Sequence, residues 1–217
     1  MNLIASRSTL SIPLWIKLIY TAFMLVLVPV YWWHYGPTNF LYFCDVALLL
    51  TLVALWKENA LLASMAAVGI VIPQIFWCVD FLWQFRGHSL SGMTSYMFDA
   101  HKPLYLRGLS LFHGWLPFLL LWLVRRLGYD RRALGAWAVL AWVLCLVAFF
   151  LLPPAGAALV DVNLPRNVNY VFGFDDAQPQ HWMPAGAYLV VWMTTLLALL
   201  WLPAHALLNK LAGRAVS

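Results

Sequence analysis

Six long apolar stretches limit what this chain can fold into. A helix that crosses a lipid bilayer needs roughly 20 consecutive, mostly apolar residues, and each stretch approaches or exceeds that length. The stretches cover residues 12–33, 39–56, 60–83, 104–124, 133–152 and 183–208. We therefore predict an all-α, polytopic transmembrane bundle of six helices that forms a single domain over residues 1–217.

The composition argues against a soluble globule. Hydrophobic residues make up 64% of the chain and charged residues only 10%, whereas a soluble domain carries about 25% charged residues. The net charge of +5 does not indicate a nucleic-acid partner, because the basic residues are scattered between apolar runs. We expect a multi-pass membrane protein whose partner is membrane lipid. A homo-oligomer and a partner in a membrane complex both stay open.

The basic residues predict the orientation, because cytoplasmic loops are enriched in lysine and arginine. With the N-terminus inside, the outer segments hold only Arg86, Lys102 and Arg166. The inner segments then hold Arg7, Lys57, Arg125, Arg126, Arg131, Arg132, Lys210 and Arg214. We predict that both termini are cytoplasmic and that the two long connections, 84–103 and 153–182, lie outside. Lys17 interrupts the first apolar run, so we expect no cleavable signal.

Polar side chains within apolar runs mark a candidate site, because their burial in hydrocarbon is costly. Under the predicted topology they converge on the outer half of the bundle. Cys44 and Asp45 lie about 8 Å below the outer end of the second helix. The others are Asp80 in the third helix, Arg107 and His113 in the fourth, and Arg166, Asn169 and Tyr170 in the loop before the sixth.

Each of these residues also has a purely structural interpretation. A membrane cysteine is usually a small apolar filler, and Asp45 or Asp80 would pair with Arg107 in a structural ion pair. His113 would bond a backbone carbonyl in a helix kinked at Pro117. Haem is disfavoured because only His113 lies at mid-depth, and we predict no cofactor and no metal site. A Cys44–Cys78 disulfide is disfavoured because both cysteines lie within helices.

One segment resembles a known family. Residues 39–47 read Asn-Phe-Leu-Tyr-Phe-Cys-Asp-Val-Ala, which resembles the Cys-Asp helix of the bacterial YwaF-like integral membrane proteins. Those proteins are similar to a eukaryotic transmembrane acyltransferase that remodels ether phospholipids. The similarity continues at His113-Gly114 and over residues 167–172. The family often carries a histidine two residues before the cysteine, where this chain has Tyr42.

The resemblance implies a lipid-modifying protein embedded in the bacterial inner (plasma) membrane, either a cysteine-dependent acyltransferase or an acyl hydrolase. Cys44 would hold an acyl group as a thioester and His113 would act as the base. Asp45 would point about 100° away from Cys44 and orient Arg107 or His113. The substrate-binding residues would be Asp45, Asp80, Arg107 or Arg166 for a lipid phosphate, and Asn169 and Tyr170 for the oxyanion. The main alternative is a non-catalytic membrane protein that binds lipid or serves as an accessory subunit of a larger complex. A transporter stays open as a third class, because Pro73 and Pro117 could break helices.

Overall fold

The computed structural model describes residues 11–88, 90–159, 161 and 163–213, and these residues contain helices but no strands. The predicted all-α fold class is therefore confirmed over this part of the chain. Three uninterrupted helices precede the first long connection: α1 (Leu14–Tyr35), α2 (Phe43–Lys57) and α3 (Ala60–Phe85). They are followed by α4 (Leu104–Ser110 and Phe112–Leu127), α5 (Ala133–Leu151) and α6 (Ala185–Thr195, a π-helical Leu196–Trp201, and Leu202–Gly213).

Five of these helices, all except α2, are long and apolar enough to cross a membrane. Their length and hydropathy are those of a membrane protein. The predicted start of the second helix at residue 39 was wrong. Pro37–Leu41 form a separate 3₁₀ helix and α2 begins only at Phe43, so its 15 residues extend roughly 22 Å.

Capping residues explain why α1, α2 and α3 form tight antiparallel neighbours. α1 is capped by Gly36, whose φ of 72° is a conformation that glycine adopts without strain. α2 is capped by Glu58, which is left-handed. The side chain of Asn59 then accepts a hydrogen bond from Leu62 N at 3.0 Å and caps the start of α3. Because only two residues separate α2 from α3, the two helices run back along each other.

α3 forms the centre of the bundle and packs against α2, α4, α5 and α6. In its most apolar stretch 61% of the residues are buried, compared with 22% in α1. This helix carries the small residues Ala63, Ser64, Ala66, Ala67 and Gly69, which let neighbouring helices approach closely. Gly69 faces Trp137 of α5, and the ring of Trp137 packs edge-on against that of Trp201 in α6, with centroids 6.4 Å apart.

The two ends of the bundle differ in chemistry. We call the end with the α2–α3 and α4–α5 turns the basic end, because it holds Lys57 and the arginine-rich segment 125–132. Lys17 pairs there with Glu58 and Arg132 with Asp130, each at 2.7 Å, and no other ion pair occurs among the described residues. We call the opposite end the loop end. It carries segments 86–103 and 152–184, the two longest connections.

Replacing Gly69 with alanine is expected to destabilise the bundle. A Cβ at this position would lie 2.1 Å from Trp137 Cε2, so the indole or a helix has to shift, at a cost of about 1–3 kcal/mol. Thermal unfolding in detergent measures the loss. Gly135→Ala on α5 is the control, because its Cβ meets no atom within 4 Å. Equal unfolding temperatures for the two variants would contradict this account of the packing.

Candidate functional site

The side chain of Asn169 joins the 152–184 segment to the start of α2. Its Oδ1 accepts from Phe43 N at 3.0 Å, and its Nδ2 donates to Leu41 O at 2.9 Å. The backbone carbonyl of Asn169 accepts from Trp192 Nε1 at 2.8 Å. Asn169 is buried and left-handed, with φ 60°, a conformation that asparagine tolerates. The amide that the sequence assigned to an oxyanion therefore caps α2.

Cys44 is the second residue of α2, so its thiol lies at the positive end of the helix dipole. The side chain is half-buried, and Sγ donates to Asp45 Oδ2 at 3.7 Å. The prediction that Asp45 turns away from the thiol was wrong. Both residues lie in the first turn of α2, where side chains tilt towards the helix N-terminus and the carboxylate can fold back beside the sulfur.

The carboxylate of Asp45 is only 3% exposed. Its Oδ2 also accepts from Asn39 Nδ2 at 3.3 Å, while Oδ1 has no hydrogen-bond partner in the described part of the chain. Tyr31 lies within electrostatic range of Asp45, and its hydroxyl is 2.8 Å from Ser110 Oγ. The site thus contains a buried carboxylate with one free acceptor atom beside a thiol.

His113 lies at a break in α4. Gly114 N bonds to Leu111 O at 2.9 Å instead of continuing the α-helical pattern to Ser110 O. His113 Nδ1 bonds to Ser110 O instead, at 2.8 Å. A carbonyl oxygen only accepts, so Nδ1 carries the proton and Nε2 is the acceptor of the neutral ring. This is the carbonyl-bonded arrangement that one interpretation of the sequence anticipated. The thiol of Cys44 bonds to Asp45 rather than to this ring.

The thiol of Cys78 on α3 forms a hydrogen bond to the backbone of α4, the helix that contains His113. Pro117 has no N–H, so the carbonyl of His113 lacks its usual partner four residues on. The thiol of Cys78 donates to that carbonyl at 3.7 Å. The neighbouring Trp77 stacks on the imidazole of His113, with centroids 5.0 Å apart. The three cysteines Cys44, Cys78 and Cys145 are all free.

Asp80 organises the 86–103 segment. The carboxylate is fully buried and accepts four hydrogen bonds. Oδ1 accepts from Ser91 N at 2.7 Å and Ser91 Oγ at 3.0 Å. Oδ2 accepts from Thr94 N at 3.0 Å and Thr94 Oγ1 at 2.6 Å. The suggested Arg107 ion pair does not form with either aspartate, because these donors already satisfy Asp80 and Arg107 donates to Met97 O at 3.1 Å.

The Asp80 bonds also position Tyr96, which follows Thr94 in the short helix Ser95–Met97. Its phenol lies near Cys44, Trp77 and Ser110. Burial raises the pKa of Tyr96, and the nearby Cys44 adds to the rise. The loop residue Tyr96 is therefore part of the surroundings of the thiol, although the sequence offered no pattern that would have singled it out.

The remaining predicted residues lie in the 152–184 segment. Arg166 Nη1 donates to Ala157 O at 3.1 Å, so this guanidinium binds the loop backbone. Tyr170 has a φ of 60°, which is strained for a bulky residue. Burial raises the pKa of Tyr170 to about 12, and the nearby Asp176 and Cys44 contribute. Tyr170 consequently lies within electrostatic range of the thiol, whereas Arg166 holds the loop itself.

Two buried amide side chains, those of Asn39 and Gln74, were not among the predicted site residues. Asn39 reaches Asp45, and Gln74 on α3 is only 2% exposed, with neither amide atom bonded within the described residues. A polar residue in the middle of an apolar run was the signal available for Gln74. Within residues 11–88, 90–159, 161 and 163–213 no three His, Cys, Asp or Glu side chains are grouped as metal ligands would be.

Comparisons with known proteins add no assignment. No protein-family model, no curated protein and no solved structure matches this chain.

Removing the charge of Asp80 is expected to release the 86–103 segment. Asp80→Asn keeps the shape but places an NH₂ group against donors, which costs about 1.5–3 kcal/mol for bonds to a charged group. Hydrogen–deuterium exchange should become faster at Ser91 and Thr94, whose amides donate to Asp80. Asp99→Asn is the control, because among the described residues the carboxylate of Asp99 accepts only from the exposed amide of His101. Unchanged exchange at both amides would rule out the role assigned to Asp80.

Proposed function

We propose that this chain is a membrane-embedded, cysteine-dependent acyltransferase or acyl hydrolase that acts on phospholipid-like substrates from the loop end. The observation that carries the proposal is the bond between the Cys44 thiol and the Asp45 carboxylate at the N-terminus of α2. A thiol needs a base or a positive field to become a nucleophile, and this position supplies both. The proposal agrees with the resemblance of residues 39–47 to the Cys-Asp helix of the YwaF-like proteins.

The chemistry follows from the position of the proton. Asp45 accepts the thiol proton as the sulfur attacks the acyl carbonyl, and the proton then passes to the departing alkoxide. The products of this half-reaction are a thioester on Cys44 and an alcohol. A second hydroxyl compound or water attacks the thioester and regenerates the thiol. His113, whose Nε2 is free to accept, is the alternative base.

A groove at the loop end supports a substrate with a phosphate headgroup. It is lined by polar and basic side chains together with Tyr35, Pro103 and Leu106; the polar ones are His34, His101, Lys102 and Asn163. The ammonium of Lys102 lies 5.7 Å from the ring centroid of Tyr96, and the phenol of Tyr96 lies near Cys44. A headgroup in this groove would place its acyl chains towards the apolar interior, beside the thiol.

A non-catalytic lipid-binding protein is the second candidate. It is favoured by the way in which several polar groups are already engaged. Asn169, Arg107 and Arg166 all donate to backbone carbonyls, which is the behaviour of a structural network. In that case the free acceptor of Asp45 would bind a lipid hydroxyl without any transfer. An accessory subunit of a larger membrane complex would carry the same network.

We further propose six membrane crossings with both termini inside, in the plasma membrane. The ion pair of Lys17 with Glu58 brings the start of α1 to the end of α2. The five-residue 3₁₀ helix adds roughly 10 Å to α2, which makes the return path about as long as the 22-residue α1. The basic residues at the α2–α3 and α4–α5 turns then favour a cytoplasmic basic end.

Labelling of introduced cysteines tests this topology. In a Cys44→Ala, Cys78→Ala, Cys145→Ala background, a membrane-impermeant maleimide should label Gln178→Cys from outside intact cells. Arg131→Cys at the basic end should react only after the membrane is opened. Both positions are exposed, so the reagent can reach them. Labelling of the two variants from the same side would disprove the proposed arrangement.

The nucleophile assignment predicts a covalent intermediate. Protein in phosphatidylcholine nanodiscs should acquire one acyl group on Cys44, detected by mass spectrometry. Cys44→Ala should abolish the adduct and lower any transfer at least about 1,000-fold, as expected for loss of a nucleophile. Cys78→Ala and Cys145→Ala are the matched controls, since those thiols lie away from Asp45. An acyl adduct that survives Cys44→Ala would sink the assignment.

Two further variants compare the bases. If Asp45 takes the thiol proton, Asp45→Asn lowers the acylation rate by about 100-fold or more and His113→Ala has a smaller effect. The reverse order would assign the base to His113. A lipid-binding protein without transfer would form no adduct in any of these proteins and would still retain bound phospholipid.

A further inference from the structure

Two buried side chains on α3 carry hydrogen-bonding atoms that the protein leaves unpaired. Gln74 and Trp77 lie about one turn apart and are 2% and 5% exposed. Neither the amide atoms of Gln74 nor the indole N–H of Trp77 has a hydrogen-bond partner among the residues that the structure describes. Unpaired polar atoms are costly inside a membrane protein, where neighbouring hydrocarbon offers no hydrogen bonds. They are therefore candidates for contact with a ligand.

The register of the α2–α3 hairpin brings Gln74 close to the level of the thiol. The hairpin turn lies between Lys57 and Ala60. Asp45 lies 12 residues before Lys57 and Ile72 lies 12 residues after Ala60, so these two residues are at the same level of the antiparallel hairpin. Gln74 is two residues further, a difference of about 3 Å along the axis.

A second observation joins Trp77 to the same place. The phenol of Tyr96 approaches the indole N–H of Trp77 closely enough to compete with a ligand for it, and it also lies near Cys44. The contact with the indole does not meet hydrogen-bond geometry, so the N–H has no acceptor among the described residues. Trp77 therefore lies on the same side of α3 as the thiol, above Gln74 and towards the loop end. The carboxylate of Asp45, level with Gln74, is equally buried.

We propose that Gln74 Nε2 and Trp77 Nε1 form the oxyanion hole for acyl transfer at Cys44. The inference rests on the proposed function, and it replaces the predicted role of Asn169, whose amide is bonded to α2. An indole N–H can only donate, so its natural partner is an oxygen that gains negative charge. Two donors in a site without bulk water are the arrangement that stabilises such a charge.

Acyl transfer to Cys44 forms one bond to the acyl carbon and breaks another. The sulfur of Cys44 bonds to the acyl carbon while its proton passes to Asp45, and the carbonyl π pair moves onto the oxygen. Gln74 Nε2–H and Trp77 Nε1–H hold that oxyanion. The pair then returns, the carbon–oxygen bond to the alcohol breaks, and the alkoxide takes the proton from Asp45. The thioester remains on Cys44 and its carbonyl oxygen stays between the two donors.

Comparing the rates of acylation and alkylation of Cys44 distinguishes an oxyanion-binding role of Gln74 and Trp77 from a role in packing. The probes are a medium-chain p-nitrophenyl ester, which forms an oxyanion at its carbonyl group, and an alkyl iodide of the same chain length, in which the sulfur displaces iodide from a saturated carbon and no oxyanion forms. Both rates are followed by intact-protein mass spectrometry in nanodiscs, in a Cys78→Ala, Cys145→Ala background. Gln74→Met keeps the length of the side chain. Trp77→Phe keeps a ring to stack on His113 and Phe81 while it removes only the N–H.

We expect each variant to lower the acylation rate by about 100- to 1,000-fold and to leave alkylation at the wild-type rate. Thr51→Val is the control, because it also replaces a buried polar group on α2 but one that already bonds to Ala47 O in its own helix. Acylation at the wild-type rate in both variants would overturn the oxyanion assignment while leaving the nucleophile intact. A parallel fall of acylation and alkylation would overturn it too, in favour of packing. A wild-type protein that alkylates but never acylates would overturn the proposed function itself.

Discussion

The hydrogen bonds between the amide of Asn169 and the chain on either side of Tyr42 determine much of the rest of the site. A helix N-terminus has unpaired N–H groups that must find acceptors, and α2 obtains one from a residue 126 positions away. This contact fixes the start of α2 at Phe43. It consequently places Cys44 and Asp45 in the first turn, where the helix dipole is felt most strongly. It also holds Tyr170, the next residue, against the same cluster.

The other polar residues of the helices mostly satisfy the backbone. A break or a proline frees a carbonyl that has no water to bond to within a bilayer. The ring of His113 bonds the carbonyl freed at the break in α4, and the thiol of Cys78 bonds the one freed by Pro117. Among the described residues, the buried polar atoms without a partner belong to Asp45, Gln74 and Trp77, and also to Arg107, Trp137 and Tyr188. Functional chemistry is best sought among such atoms.

The sequence was sufficient to predict the boundaries of those helices that extend over the whole length of an apolar run. It was insufficient for the start of α2, because the 3₁₀ turn at Pro37–Leu41 is followed by a cap that comes from a distant loop. The positions of Asp80 and His113 within apolar helices followed from hydropathy in the same way, whereas Cys44, which was expected well inside the second helix, lies in its first turn. Their partners did not follow from hydropathy, since Asp80 is bound by Ser91 and Thr94, two ordinary residues of a polar loop. Hydropathy indicates which residues lie within an apolar helix, whereas their hydrogen-bond partners depend on how the loops fold back onto the helices.

The nearness of a thiol and a carboxylate imposes a constraint on any reaction at Cys44. Two negative charges a few ångströms apart in a medium of low polarity repel each other strongly, so a thiolate can form beside Asp45 only as Asp45 takes up the proton. The pair can therefore carry one negative charge at a time. When the sulfur attacks, that charge must leave the pair and appear on the carbonyl oxygen. The N–H groups of α2 are partly capped by Asn169, so further donors have to stabilise this charge, and Gln74 and Trp77 of α3 carry unpaired N–H groups.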